Sequence, residues 1–446
     1  MTLRSALCAI VLAACQGSAK PADLPPVPEG VAPPEAGRTS VLWIEVCSLR
    51  ADRVGAYGNR WPISPNLDAL AARGMRFEHV VPAGAWTRPS VASLRTGLFP
   101  RSVDIDRPRA EGESLKVDDS FVLSSEWLHD RGYRTIGLSA NPNGNRYFGF
   151  DQGFDVWVDS GKLYTGWFEH REDVHDVTDR LLAEIDASPE GQPFLAHLLL
   201  SDAHHPYPRS AMLIPTDMPW MPADQNLYDR QVRKVDAGIA RILRELDARG
   251  RRDLLVVVTS DHGEGFTDDH AQWHGAEMYN AQTWVPWIMA HPGLPGGVVV
   301  PGLVQTVDVL PTVLGLLGVD PGDYRFDGLD LHAAWTAPDS VQTRPFAVIQ
   351  TAYDETLRTG LVDPTWRYLV QGEGPEAPRE LYRWATDWQE RQELSAQEPE
   401  LVARFDALLA TWKEAHPPRA SGYLDEATVD EGTWKALQEL GYLERN

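Results

Sequence analysis

Leu254-Leu255-Val256-Val257-Val258-Thr259, continuing as Ser260-Asp261-His262-Gly263-Glu264-Gly265-Phe266, is the stretch whose reading decides the fold. Apolar, mostly β-branched residues bounded by polar punctuation predict a strand buried on both faces. Open α/β sheets hold ligands beyond the carboxyl ends of their strands, so Asp261 and His262 stand where a metal or substrate is gripped. His270 and His274 follow closely. Such a cluster favours a metal site over a solvated polar turn.

Working outward, the same grammar recurs. Val41 to Val46 reads as a strand that ends at Cys47, and Ser64-Pro65 reads as the cap and first residue of a helix stopped by Gly74. Thr87 stands just ahead of a Pro-initiated helix. It is either a simple cap or a hydroxyl placed where the helix dipole stabilises an alkoxide or an anion. Phe194 to Leu200 is a further buried strand whose exit carries Asp202 and His204; Val232, Val235, Ile239, Ile242 and Leu246 line a long helix closed by Gly250. The alternation predicts an α/β fold, a mostly parallel sheet between helices. Residues 331–446 predict a smaller α+β subdomain, with strands at Phe346–Gln350 and Trp366–Val370 and a helix through Leu401, Phe405, Leu408 and Trp412. Arg358 and Arg367 are expected there as surface charges.

Composition bounds the function. With 446 residues, 43% of them hydrophobic, the chain supports one large domain and one small one. A net charge of −23 argues against nucleic acid as a partner, since phosphate backbones are bound through clustered Lys and Arg. At the N-terminus, Arg4, the apolar run Ala6–Leu12 and Leu12-Ala13-Ala14-Cys15 read as a lipoprotein signal peptide, residues 1–14. Roughly ten apolar residues are too few to span a bilayer. Cys15 is then the lipid-bearing residue, and the Pro- and Gly-rich segment 15–38 a tether that packs no core. The implied location is outside the cytoplasm, anchored to a bacterial membrane. Of the three cysteines, only Cys15 and Cys47 remain after processing, which leaves no internal disulfide.

Motifs in order carry a resemblance: Leu49-Arg50-Ala51-Asp52, Ser64-Pro65-Asn66-Leu67-Asp68, Trp86-Thr87-Arg88-Pro89-Ser90 with Leu94-Arg95-Thr96-Gly97, Phe148-Gly149-Phe150-Asp151, Asp202-Ala203-His204, Ser260-Asp261-His262-Gly263-Glu264, His274-Gly275 and Val307-Asp308-Val309-Leu310-Pro311-Thr312. Over residues 39–330 the chain resembles the sulfatase branch of the alkaline phosphatase superfamily. That resemblance implies hydrolysis of sulfate or phosphate esters, small-molecule or glycan, by a metal-activated nucleophile. It places Thr87 at the nucleophile position and Asp261 and His262 as metal ligands. It sets His204 and His274 at the ester or its leaving oxygen, and Arg50, Arg88 and His270 as substrate contacts. The divalent ion is calcium or magnesium by family.

Three positions depart from the family pattern. Where sulfatases carry a Cys or Ser that is oxidised to formylglycine, this chain has Thr87, which cannot follow that route; the change leans towards phosphorus chemistry. Val91 replaces an arginine that holds the nucleophile and its metal. Cys47 replaces a metal-binding Asp, and reads either as a soft ligand that would bring in zinc or as a small buried apolar residue. Glu45, on the same strand face, lies one pleat too deep to substitute. Three functions follow as expectations: an ester hydrolase, a phosphoryl-type transferase or phosphodiesterase using Thr87, and a ligand-binding member without turnover. The sequence sets no oligomeric state.

Overall fold

The computed structural model describes residues 22–107, 114–159, 173–207, 223–266, 270, 272–424 and 428–439. The signal segment 1–14 and Cys15 lie outside the described residues. The strands are β1 (Ser40–Val46), β2 (Met75–Val81), β3 (Ser114–Lys116), β4 (Arg134–Ser139), β5 (Val156–Val158), β6 (Phe194–Leu200), β7 (Leu254–Thr259), β8 (Trp287–Ala290), β9 (Val298–Gln305), then β10 (Ala347–Thr351), β11 (Arg358–Val362), β12 (Arg367–Gln371), β13 (Arg379–Tyr382) and β14 (Gly422–Leu424). The helices are α1 (Pro65–Arg73), α2 (Thr87–Thr96), α3 (Ser124–His129), α4 (Val174–Asp186), α5 (Ala223–Ala248), α6 (Asn280–Thr283), α7 (Val309–Leu316), α8 (Pro399–Ala415) and α9 (Glu431–Glu439).

An eight-stranded sheet runs β5-β4-β6-β1-β7-β8-β2-β9. Only β8 is antiparallel to its neighbours. The central strands are buried along their whole length because alternate residues feed two cores. On one face Leu42, Ile44, Val256 and Val258 meet Leu67 and Leu70 of α1, Val177 and Leu181 of α4, and Val235, Ile239 and Ile242 of α5. On the other, Val41, Trp43, Leu255 and Val257 meet Val309, Leu310 and Val313 of α7. Each such side chain contributes about 1.5–3 kcal/mol of burial. The register sets Glu45 of β1 beside Thr259 of β7, so the two chains leave the sheet side by side, at Cys47 and at Asp261.

Ser64 does not cap α1 with its side chain. Its hydroxyl instead accepts the Gly55 amide at 2.8 Å. The open amides of Asn66 and Leu67 donate to Asp236 of α5, at 2.9 and 2.8 Å, which ties the two helices together.

The segment 22–38 departs from the expected free tether. Leu24 packs on the core, Arg73 donates to the Pro25 carbonyl at 2.6 Å, and the Ala36 amide donates to the Leu317 carbonyl at 2.9 Å. Prolines hold this backbone extended, and an extended backbone leaves its carbonyls open to such donors.

The small subdomain is the antiparallel sheet β10-β11-β12-β13 with α8 packed on it through Phe405, Leu409 and Trp412. Two expectations there are corrected. Arg358 and Arg367 are buried rather than surface charges. The tail also leaves the subdomain: β14 pairs with β3, and Thr433 of α9 accepts the Asn145 side-chain amide at 3.1 Å.

Candidate active site

Cys47, Thr87, His204, Asp261, His262 and His274 are drawn together at the carboxyl edge of the parallel strands. Cys47 ends β1. The turn after it is forced: Ser48 adopts a left-handed backbone (φ 66°), a conformation that costs a residue with a Cβ about 1–3 kcal/mol. Three bonds hold that turn. The Ser48 amide donates to Asp261 Oδ1 (3.1 Å), the Leu49 amide to Ser260 Oγ (2.9 Å), and the Tyr228 hydroxyl to the Ser48 carbonyl (2.7 Å).

Thr87 is the first residue of α2 rather than its cap. Its Oγ1 lies 3.5 Å from Cys47 Sγ and 3.3 Å from His262 Nε2. Cys47, Asp261 and His262 each offer a ligand atom within 4.8 Å of the others, and all three residues are buried. Burial and the neighbouring Asp261 carboxylate push the Cys47 thiol well above its usual range.

His262 Nδ1 is 2.8 Å from the Gly263 carbonyl, which assigns the ring proton to Nδ1 and the lone pair to Nε2. Burial depresses the pKa of His262 to about 4, so the ring is neutral. Asp261 Oδ1 accepts the amides of Ser48 and His262, whereas buried Oδ2 accepts no hydrogen bond. Oδ2 sits 3.3 Å from the Nε2 lone pair. Two acceptors facing each other at that distance repel until a proton, from the Cys47 thiol or the Thr87 hydroxyl, or a cation lies between them. The residues therefore fit a divalent ion, and their sulfur, nitrogen and oxygen donors fit a soft one better than the six to eight oxygens calcium takes.

His274 Nδ1 pairs with Glu264 Oε1 at 2.9 Å, and the ring lies 4.2 Å from His262 and 4.7 Å from His204, centroid to centroid. Burial raises the Glu264 carboxyl, but the charge and hydrogen bond of the His274 imidazole beside it outweigh this and hold the pKa below the usual range. His204 Nδ1 is committed to the His205 carbonyl.

The three expected substrate contacts each have partners within the protein. Arg50 Nε and Nη2 donate to Asp52 at 2.8 Å each, and Nη1 donates to the Glu264 carbonyl at 2.9 Å. A desolvated guanidinium requires such partners. Arg88 donates to Asn143 Oδ1 at 2.9 Å with its guanidinium 3.7 Å above the Phe148 ring. His270 stacks on Tyr279 and its Nδ1 meets the Glu390 carbonyl at 3.0 Å, so it braces the small subdomain. Glu45 pairs with His197 (2.6 Å) and Arg95 (3.6 Å) below the site, one pleat too deep to be a ligand. Sequence reasoning assigned no role to Glu264 or Asn141. Glu264 was visible within the Asp-His-Gly-Glu motif; Asn141, in a loop of short polar residues, gave no signal.

A parallel sheet with a hydroxyl on a helix N-terminus and metal-type ligands at two strand exits defines the alkaline phosphatase superfamily architecture. Within it the chain belongs to the sulfatase family, whose model matches residues 40–319. It is 25% identical over 361 residues to an ulvan-active sulfatase of Formosa agariphila, covering 71% of this chain and 69% of that one. It is 24% identical over 456 aligned positions to the multifunctional alkaline phosphatase superfamily protein PehA of Trinickia caryophylli, covering 74% and 87%. Among solved structures, the phosphonate monoester hydrolase of Agrobacterium radiobacter superposes with a TM-score of 0.70 at 18% identity, over 85% of this chain and 96% of that one. That last likeness shows the fold.

Proposed function

We propose that the protein is a metal-dependent hydrolase of sulfate or phosphate esters, on small molecules or glycans, with Thr87 as nucleophile and Cys47, Asp261 and His262 holding zinc. One observation carries the reading: Thr87 Oγ1 lies within 3.5 Å of both Cys47 Sγ and His262 Nε2. When bound, a divalent ion supplies Lewis-acid polarisation of the ester and of the threonine hydroxyl. The first turn of α2 adds the positive end of its dipole beneath Oγ1. His274, its Nδ1 paired with Glu264 at 2.9 Å, is the group that protonates the leaving oxygen in this reading. A threonine at this position favours phosphodiesters over sulfates. The expected result is turnover of a nitrophenyl phosphodiester or sulfate that Thr87→Ala lowers by about 10³-fold or more, with a covalent adduct on Thr87 caught by mass spectrometry.

A second reading, a ligand binder without turnover, is favoured by the apolar cluster that Cys47 shares with Val91, Ala92 and Leu199. It expects a metal-free protein inert towards both ester classes.

The proposal extends to location: export, and anchoring through a lipid on Cys15, supported by the box Leu12-Ala13-Ala14-Cys15. Cys15→Ala is expected to move the protein from the membrane to the soluble fraction. A variant still sedimenting with membranes would refute the anchor.

A further inference from the structure

We infer that Asn141 is a catalytic residue, its side-chain amide donating to the negative charge that develops at Thr87 Oγ1 and the oxygens of the ester it attacks. This rests on the hydrolase reading above. Asn141 follows β4 and opens the short turn Pro142–Gly144. Its orientation is fixed by chemistry: Oδ1 accepts the Asn143 backbone amide at 2.9 Å, so the other terminal atom must be the NH₂ group. That nitrogen lies 3.4 Å from Thr87 Oγ1 and 3.3 Å from Cys47 Sγ. The main chain is pinned as well, since the Ser139 hydroxyl donates to the Asn141 carbonyl at 2.8 Å. Asn141 is fully buried.

The surroundings make such a donor consequential. Val91, one turn along α2 from Thr87, is apolar and buried, and Arg88 is engaged with Asn143 and Phe148. In the attack the bond from Thr87 Oγ1 to phosphorus or sulfur forms and the bond to the alcohol oxygen breaks. The electron pair departs with the alcohol oxygen, which also receives the hydroxyl proton; water then cleaves the threonine ester and frees the acid. Charge grows on oxygens beside Nδ2 during the first step. A fixed neutral donor stabilises that growth more than it stabilises the resting anion, so its contribution belongs in kcat more than in KM.

The test uses the full chain with its metal. Asn141→Ala and Asn141→Asp are expected to lower kcat about 10²–10³-fold while KM moves only a few-fold. Inhibition by orthovanadate, whose trigonal bipyramid imitates the transition state, should weaken in parallel. Metal content and melting temperature should match the wild type. An active wild type whose Asn141→Ala variant keeps its kcat and vanadate affinity overturns the assignment alone. So does a variant that loses metal and activity together, because Asn141 would then act by steadying Cys47. A wild type inert towards every ester overturns the hydrolase reading, and this assignment with it.

Discussion

Cys47→Ala is expected to strip the site of metal and to lower ester turnover about 10³-fold, while leaving the fold intact. The wild type should carry zinc through purification and dialysis, read by elemental analysis. The physical basis is the pair of acceptors left facing each other, Asp261 Oδ2 and His262 Nε2, with the Cys47 sulfur 3.8 Å from the same nitrogen. Two ligands without the thiolate hold an ion far less tightly than three. Zinc must displace the thiol proton to bind, and burial makes that proton hard to remove. Occupancy should therefore rise with pH, because only the deprotonated sulfur is a ligand. Cys47→Asp separates the two readings of this residue. If the sulfur is a ligand, the exchange shifts preference from zinc towards magnesium or calcium. If Cys47 only fills space, the wild type is metal-free and the exchange instead raises metal content from nothing.

How far the sequence alone leads depends on the distance over which its signals act. Strands β1 and β7 were legible because burial on both faces leaves an uninterrupted apolar run, and the topology of such sheets then places Cys47, Asp261 and His262 at the ligand edge without further information. Thr87 was legible as a helix start, but the aim of its hydroxyl was not: a cap and a nucleophile use the same residue at nearly the same place. Asn141 was invisible because Asn-Pro-Asn is ordinary turn chemistry, and only the fold brings that turn beside β1 and α2. Arg50 was legible as a basic residue in a motif, but its bidentate pairing with Asp52 two residues on was not. The β3–β14 pairing escaped for another reason. Each strand is three residues long, too short to show alternation, and the partners Ser114–Lys116 and Gly422–Leu424 lie far apart in the chain.

Arg367 illustrates the longest reach, and its removal should have the largest effect on stability. Arg367 and Glu390 are each about 1% exposed and form an ion pair at 2.5 Å. The guanidinium also donates to the Met278 carbonyl (2.7 Å), Thr283 Oγ1 (2.7 Å) and Asn280 Oδ1 (2.8 Å), while Glu390 accepts the Asn280 amide at 2.6 Å. The Glu390 carbonyl meets His270. Strand β12 thus clamps the segment that begins at His270, carries His274 and ends in α6. Arg367→Ala is expected to cost about 3–5 kcal/mol, because it leaves a carboxylate buried without its partner and three acceptors without their donor. Arg367→Lys should recover only part of this, since one ammonium cannot match the planar fork. Replacing both charges, as in Arg367→Met with Glu390→Met, should cost less than Arg367→Ala alone. Urea denaturation midpoints measure all three. Because the clamp fixes the loop bearing His274, the destabilised variants should also lose turnover at temperatures where they remain folded. A change below about 1 kcal/mol for Arg367→Ala, in the range of an exposed pair, would show that the small subdomain does not hold the loop.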